Sequence, residues 1–409
     1  MRWRSRSEPL YGVALGERFG LYPRRSDGDG DGYIWIHAVS LGETRAAVPL
    51  IEAVRSHLPG ARLLLTHGTA TGRAAGQPLM RGSDRQAWLP FDTPGAVRRF
   101  LARYRPCVGI LMETEIWPSL LAAAAARGVP MVLANARLSE RSRRRGARFD
   151  AVLRPAFASL ALALAQSEAD AGRLRDAGVA RVRVAGNLKF DLTPDPALLA
   201  LGARWKTLAA RPVVVFAQSR EGEEATLLNS WRAVQGERPL LVIVPRHPQR
   251  FDAVASLVTS ADFTLARRSR WPADASPPPE ASTCDVWLGD SMLELPAYYA
   301  LAQVALLGGS FEPLGGQNLI EAAACGCPLI MGPHTFNFAE AARLAVSAGA
   351  AEEAASLSDA IALALGHLED GSLSRRAAAA HAFAAAHRGA AETTVQAVLE
   401  LIRARSAAA

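Results

Sequence analysis

Charged and glycine residues recur in this sequence directly after short apolar runs, and chemistry is expected there. "YIWIHAVSLGE" carries Glu43 just past a run of β-forming residues, where open α/β sheets present their functional side chains. "METEIWP" sets Glu113 and Glu115 at alternate positions; in an extended segment these point the same way, to act on a proton or, as favoured here, to hold arginines in place. "VPRHP" pins Arg246 between Pro245 and Pro248. Its guanidinium suits a phosphate or carboxylate, a charge-assisted bond of about 1.5–3 kcal/mol, whereas His247 reads as structural. In "GGSFEPLGGQNLIEAAACG", the pairs Gly308–Gly309 and Gly315–Gly316 precede a helix expected to begin near Gln317. Backbone amides and the positive helix end there suit a phosphate, with Glu321 placed to accept from ribose hydroxyls.

Composition narrows the partners. The 409 residues carry a net charge of +7 and are half apolar, enough for two or three domains and an anionic partner. A phosphorylated metabolite, a membrane surface and nucleic acid all fit that charge, but no nucleic-acid module or aromatic platform is present. Only two of the 46 basic residues are lysines, Lys189 and Lys206, which makes Lys189 informative because ammonium and guanidinium are not interchangeable. Four cysteines without C-x-x-C spacing point to a reducing compartment with no zinc site. The eight histidines show no metal-ligand spacing. No P-loop, G-x-S-x-G, H-E-x-x-H or post-strand G-x-G-x-x-G occurs. No run approaches the ~18 apolar residues of a membrane span. "DGDGDG" lacks the calcium-loop glutamate, since its twelfth position is Ala38, and reads as a linker.

The elements that must position these residues alternate in both halves, β-rich runs with alanine- and leucine-rich helices, as in parallel sheets covered on both faces. Seven strands are expected in the first half and five in the second ("PVVVFAQS", "LLVIVPRH", "VWLGD", "VALLGGS", "PLIMGP"). The expected organisation is a basic, aromatic, membrane-proximal segment and linker (1–32), a first Rossmann-like domain (33–195), an interdomain linker (196–211), a second Rossmann-like domain (212–375), and C-terminal helices packing back across the domains (376–409). Two such domains face a central cleft, the default active site.

Taken in order, "ERFGLYP", "HAVSLGE", "ETEIWP", "NARLSERS", "GNLKFD", "EGEE", "VPRHPQRF", "GDSMLEL", "GGSFEPLGGQN" and "GPHTFNF" resemble the 3-deoxy-D-manno-octulosonic acid (Kdo) transferases of Gram-negative lipopolysaccharide assembly. The resemblance implies a GT-B glycosyltransferase that passes Kdo from CMP-Kdo to the tetraacylated lipid A precursor (lipid IVA), with inversion and without a metal or cofactor. It implies Glu43 as general base, with Gly42 permitting the tight turn that presents it. Lys189 would meet the sugar acid or the acceptor phosphate, while Glu113, Glu115 and Arg137 order the acceptor side. Ser219, Pro245, Arg246 and the amides of Gly308, Gly309 and Ser310 would hold the donor's anionic groups, with Gly315 and Gly316 in the same loop. Asn318 and Glu321 would take the ribose, and Asp290 and Met292 would lie near the cytidine.

Where the family usually has a hydrophobic N-terminal anchor, this sequence has a basic, aromatic start: either the protein docks peripherally on the cytoplasmic face of the inner membrane, or the true start lies upstream of Met1. Gln317 and Arg220 stand where the family commonly has histidines. Two alternatives stay open on the residues: a GT-B enzyme using another nucleotide sugar, and a catalytically silent paralogue that binds lipid A precursors.

Overall fold

The computed structural model describes residues 9–23, 32–272 and 275–408; the Asp27–Asp31 part of the expected linker lies outside them. The chain divides into two compact units, Met1–Leu192 with His387–Ala409, and Thr193–Ala386.

Each unit is built on a seven-stranded parallel sheet. In the first, β1 (Tyr33–His37), β2 (Leu63–His67), β3 (Arg85–Trp88), β4 (Pro106–Met112), β5 (Met131–Ala136), β6 (Leu162–Ala165) and β7 (Val182–Val184) lie in the order β3-β2-β1-β4-β5-β6-β7. In the second, β8 (Val213–Ser219), β9 (Leu240–Pro245), β10 (Leu265–Arg267), β11 (Val286–Leu288), β12 (Val304–Leu307), β13 (Leu329–Met331) and β14 (Ala351–Glu353) run β10-β11-β9-β8-β12-β13-β14. Central strands such as "YIWIH" and "VVVFAQS" are buried along their whole length, which is why they read as apolar runs rather than alternating ones. The strands absent from the sequence reading, β10 and β14, are three-residue edge strands, too short to carry a periodic signal.

The strand order reverses between β1 and β4 in the first sheet and between β8 and β12 in the second. Loops at these points diverge to opposite faces and open the crevice in which doubly wound sheets bind ligands. Glu43 and Glu113 follow β1 and β4; Arg220 and Gly308 follow β8 and β12.

Three expected boundaries change. The 196–211 linker is largely a helix, Pro196–Ala209, that belongs to the second unit; Pro196 stands in the first turn, where it does not break the helix. Its packing is close, since a Cβ on Gly202 would lie 2.1 Å from the Ala297 carbonyl oxygen. At the other end, helix Leu373–Ala386 runs through the expected 375/376 division and stays with the second unit. Helix Ala390–Ala408 instead buries Val395, Val398 and Leu399 among Ile34, Ile36 and Val108 of the first core. The Asp191 carboxylate caps its start, accepting from Gly389 and Ala391 N–H at 2.6 Å each.

Candidate active site

Glu43 lies in the first turn of helix Leu41–Ala46, capped by Ser40. Ser40 Oγ accepts from Glu43 N–H (3.3 Å) and donates to Glu43 Oε1 (3.1 Å), while Oε2 accepts from Val39 N–H (2.7 Å). This reciprocal arrangement is close to a capping box, and it holds a partly buried carboxylate in one orientation. Burial raises its pKa to about 7; the Val39 amide and Ser40 hydroxyl oppose the rise, and the charges of Glu113 and Glu115 add to it. A carboxyl tuned to that range is poised to take a proton near neutral pH.

The tight turn does not depend on Gly42, which is helical and whose added Cβ would meet only Ser40 Oγ at 3.9 Å. The glycine that matters is Gly72, where a Cβ would lie 2.9 Å from the Val39 carbonyl oxygen. Behind the turn, His37 and His67 are buried and pushed down to about 3 and 4, chiefly by desolvation. They are therefore neutral supports, bonded to Thr66 and to the Ala38 carbonyl.

Glu113 begins a turn and Glu115 follows it outside any strand, so the alternation argument fails for them. Glu113 has φ 58°, a left-handed backbone that costs on the order of 1–3 kcal/mol and tends to persist at functional sites. It pairs with a lysine: Lys189 Nζ lies 3.1 Å from Glu113 Oε1, both side chains about one-fifth exposed. Burial, first, raises the Glu115 pKa, and the charge of Glu113 adds to it. Arg137 is joined to this group through its backbone, its N–H donating to the Glu113 carbonyl (3.3 Å).

Lys189 is placed by a network that the sequence did not single out. Asn187 Oδ1 accepts from Lys189 N–H (3.0 Å), and Asn187 Nδ2 donates to Gln166 Oε1 (3.1 Å). Gln166 Nε2 donates to the Asn135 carbonyl, and Asn135 Oδ1 accepts from Leu188 N–H. The available signal for Gln166 was a polar residue ending the apolar run "LALALAQ".

The second unit corrects several expectations. Ser219 is buried, its hydroxyl donating to Glu224 Oε1 (2.9 Å). Asp290 is consumed internally, accepting from Arg267 Nε, Ser269 N–H and Ser269 Oγ at 2.6–2.7 Å, so it orders its own loop rather than facing a base. Gly308 and Gly309 serve close approach: a Gly308 Cβ would lie 2.5 Å from the Gln218 carbonyl oxygen, and the Gly309 amide is taken by Glu223. Ser310 is buried, donating to the Leu307 carbonyl (2.5 Å) and accepting from Gly332 N–H (2.8 Å). Gly315 and Gly316, at φ 91° and 74°, turn the loop, and Gly316 N–H donates to the Gly309 carbonyl (2.7 Å). Asn318 caps helix Leu319–Ala324, two residues later than the expected start, and Glu321 stands in its first turn. Pro245 ends β9 in the interior.

Charged groups still face outward. Arg246 is exposed, with Nη1 donating to Gln218 Oε1 (2.8 Å). Arg220, Arg246 and Arg250 all bear on His247, whose pKa is lowered by desolvation first and then by these cations. Met292 is 48% exposed beside Leu293, an apolar shelf on the loop that Asp290 anchors.

Two doubly wound parallel sheets in tandem, each with polar groups at its switch point, define the GT-B glycosyltransferase fold. A glycosyltransferase from Rickettsia africae superposes over 91% of this chain and 99% of its own, with TM-score 0.61 and 11% identity. The UDP-GlcNAc 2-epimerase of Neisseria meningitidis covers 90% of this chain and all of its own, with TM-score 0.57 and 15% identity. At such identities the likeness is one of fold. Residues 14–192 match the family described as "3-Deoxy-D-manno-octulosonic-acid transferase (kdotransferase)". The 3-deoxy-D-manno-octulosonic acid transferase of Bordetella pertussis is 48% identical over 394 residues, spanning 93% of this chain and 90% of that protein. Its Haemophilus influenzae counterpart is 36% identical, spanning 86% and 82%. The chain belongs to the 3-deoxy-D-manno-octulosonic acid transferase family and is a glycosyltransferase.

Proposed function

We propose that this chain transfers Kdo from CMP-Kdo to the tetraacylated lipid A precursor, with inversion at the anomeric carbon. The observation that carries the proposal is Glu43: a partly buried carboxylate oriented by Val39 and Ser40, with a pKa of about 7, at the switch point of the first sheet. The acceptor hydroxyl gives its proton to Glu43 as its oxygen forms a bond to the anomeric carbon. The bond from that carbon to the CMP phosphate oxygen breaks, and CMP leaves with the electron pair. Arg220 and Arg246 supply positive charge for the phosphate and the sugar carboxylate. Lys189, held by Glu113, meets the sugar acid or the acceptor phosphate. The test is purified protein with CMP-Kdo and tetraacylated lipid A precursor in detergent, followed by CMP release and lipid mass. Stepwise mass gains of Kdo are expected, and their number gives the multiplicity of transfer. A folded protein that transfers nothing from CMP-Kdo but does transfer from another nucleotide sugar would sink this reading.

The same reading places the chain on the cytoplasmic face of the inner membrane as a peripheral protein; no helix among the described residues is long and apolar enough to cross a membrane. Support comes from an inverted burial pattern in the N-terminal segment. Glu17 and Arg18 are buried, Glu17 accepting from Trp88 N–H (2.7 Å) and Arg18 lying over the Trp88 ring (4.2 Å). Leu10, Val13, Phe19, Leu21 and Phe91 are exposed, with Phe19 and Phe91 in edge contact at 5.4 Å. Exposed apolar side chains beside Arg99, whose guanidinium donates to the Phe19 carbonyl (2.5 Å), fit an anionic lipid surface. Phe19→Asp combined with Phe91→Asp is expected to reduce co-sedimentation with phosphatidylglycerol-containing vesicles severalfold while leaving the far-UV spectrum unchanged. Equal binding by the variant would place the contact elsewhere.

A further inference from the structure

The glycine-rich segment after β12 has the composition of an anion cradle, yet its Gly308, Gly309, Phe311 and Gly316 amides are already engaged. Glu223 is fully buried. Both of its carboxylate oxygens lie 2.8 Å from the Gly309 nitrogen, Oε2 also accepts from Arg220 N–H (2.9 Å), and the Phe311 amide is a further donor. These donors come from the ends of two different strands, β8 and β12, the pair at which the strand order of the second sheet reverses. Doubly wound sheets commonly offer such amides to an anionic group of the ligand. Here an internal carboxylate occupies them.

We infer that Glu223 is a positioning residue, a built-in anion that locks the β8 and β12 ends together and leaves the donor's anionic groups to the side chains of Arg220 and Arg246. The inference rests on the proposed donor reading only for the identity of the ligand.

Several contacts show how far this hold extends. Gly309 has φ 68°, and a Cβ there would lie 2.8 Å from Gln317 Nε2 and 3.5 Å from Arg220 Cγ, so both side chains pack directly over it. The Gly309 carbonyl in turn accepts from Gly316 N–H (2.7 Å), and Ser310 O accepts from His334 N–H (2.9 Å). Anchoring Gly309 therefore anchors Arg220, Gln317 and the second glycine pair. Glu224, its equally buried neighbour, has a different role: it takes Ser219 Oγ and Arg250 Nη2, both at 2.9 Å, and pairs carboxylate with guanidinium. Glu223 is met by backbone amides, the partners an anionic ligand would otherwise find.

The first test is Glu223→Ala with formate as the probe. Removing the carboxylate frees the amides and loosens the loop, so the KM for CMP-Kdo is expected to rise about 10- to 100-fold with a smaller change in kcat. Added formate should lower that KM again in the variant and leave wild type unaffected. A folded variant with a wild-type KM, or with a raised KM that formate does not lower, overturns the inference. The second test needs no variant. In the unmodified protein, hydrogen exchange at the Gly309 and Phe311 amides is expected to be slow before ligand is added and unchanged by CMP. Fast exchange that CMP alone slows would overturn the inference even if Glu223→Ala failed to fold. Absence of any Kdo transfer by wild type counts against the donor reading instead, and the exchange result still decides the place of Glu223.

Discussion

Glu43→Gln is expected to lower kcat by about 10²- to 10⁴-fold, the contribution of a positioned general base, while leaving the KM for CMP-Kdo near its wild-type value. The amide keeps the shape of the side chain and an acceptor for Val39 N–H (2.7 Å to Oε2 in the native protein) but cannot take a proton. The pH dependence separates this role from a structural one. Since burial, first, and the charges of Glu113 and Glu115 raise Glu43 to about 7, wild-type kcat/KM should climb as pH rises through that value and level off above it; the variant should lack this limb.

The same shift has a stability consequence of definite sign. A folded-state pKa above the unfolded one means that the native protein binds the extra proton between the ordinary glutamate range and about 7, so stability falls as pH rises across that window. Glu43→Gln removes the term, and at pH 8 the variant should melt no lower than wild type. A variant that loses activity and melts well below wild type at pH 8 would make Glu43 a helix-capping residue and not the base.

Lys189→Ala is expected to have the second largest effect, a fall in kcat/KM of about 10²- to 10³-fold, the scale on which fixed charge is lost from a water-poor site. Lys189 Nζ and Glu113 Oε1 are 3.1 Å apart and largely screened from water. Deleting the cation leaves Glu113 unpaired in electrostatic contact with Glu43 and Glu115, and a like charge disfavours ionisation of its neighbours. The rising limb of the pH profile should therefore move to higher pH. Lys189→Ala with Glu113→Gln should return the limb toward wild type without restoring the rate, because the proposed substrate contact is still missing. Lys189→Arg keeps the charge but presents a planar fork where a compact ammonium stood, so it should restore the limb better than the rate. A profile unmoved in Lys189→Ala would detach the lysine from the base.

The architecture was legible in the residues because strands buried on both faces must be apolar throughout, and runs such as "YIWIH", "CVGILM" and "VVVFAQS" proved to be β1, β4 and β8. The ordered motifs were equally sufficient for the family. The edge strands β10 and β14 were lost because three residues hold no period, and helix Pro196–Ala209 because prolines that start a helix look the same in sequence as prolines that interrupt one.

What tertiary structure alone decided was which polar groups remain available. Glycine spacing identifies amides able to bind an anion, but the Gly309 amide is claimed by a carboxylate 86 positions earlier in the chain. Asp290 and Ser219 are likewise spent on internal partners, and the pKa of Glu43 is set by desolvation together with two carboxylates from another strand end. Residue type and spacing determine what a side chain is able to do. Burial and long-range hydrogen bonding determine which of those capacities stays free, because each donor or acceptor taken out of water must be satisfied by whatever the fold brings beside it.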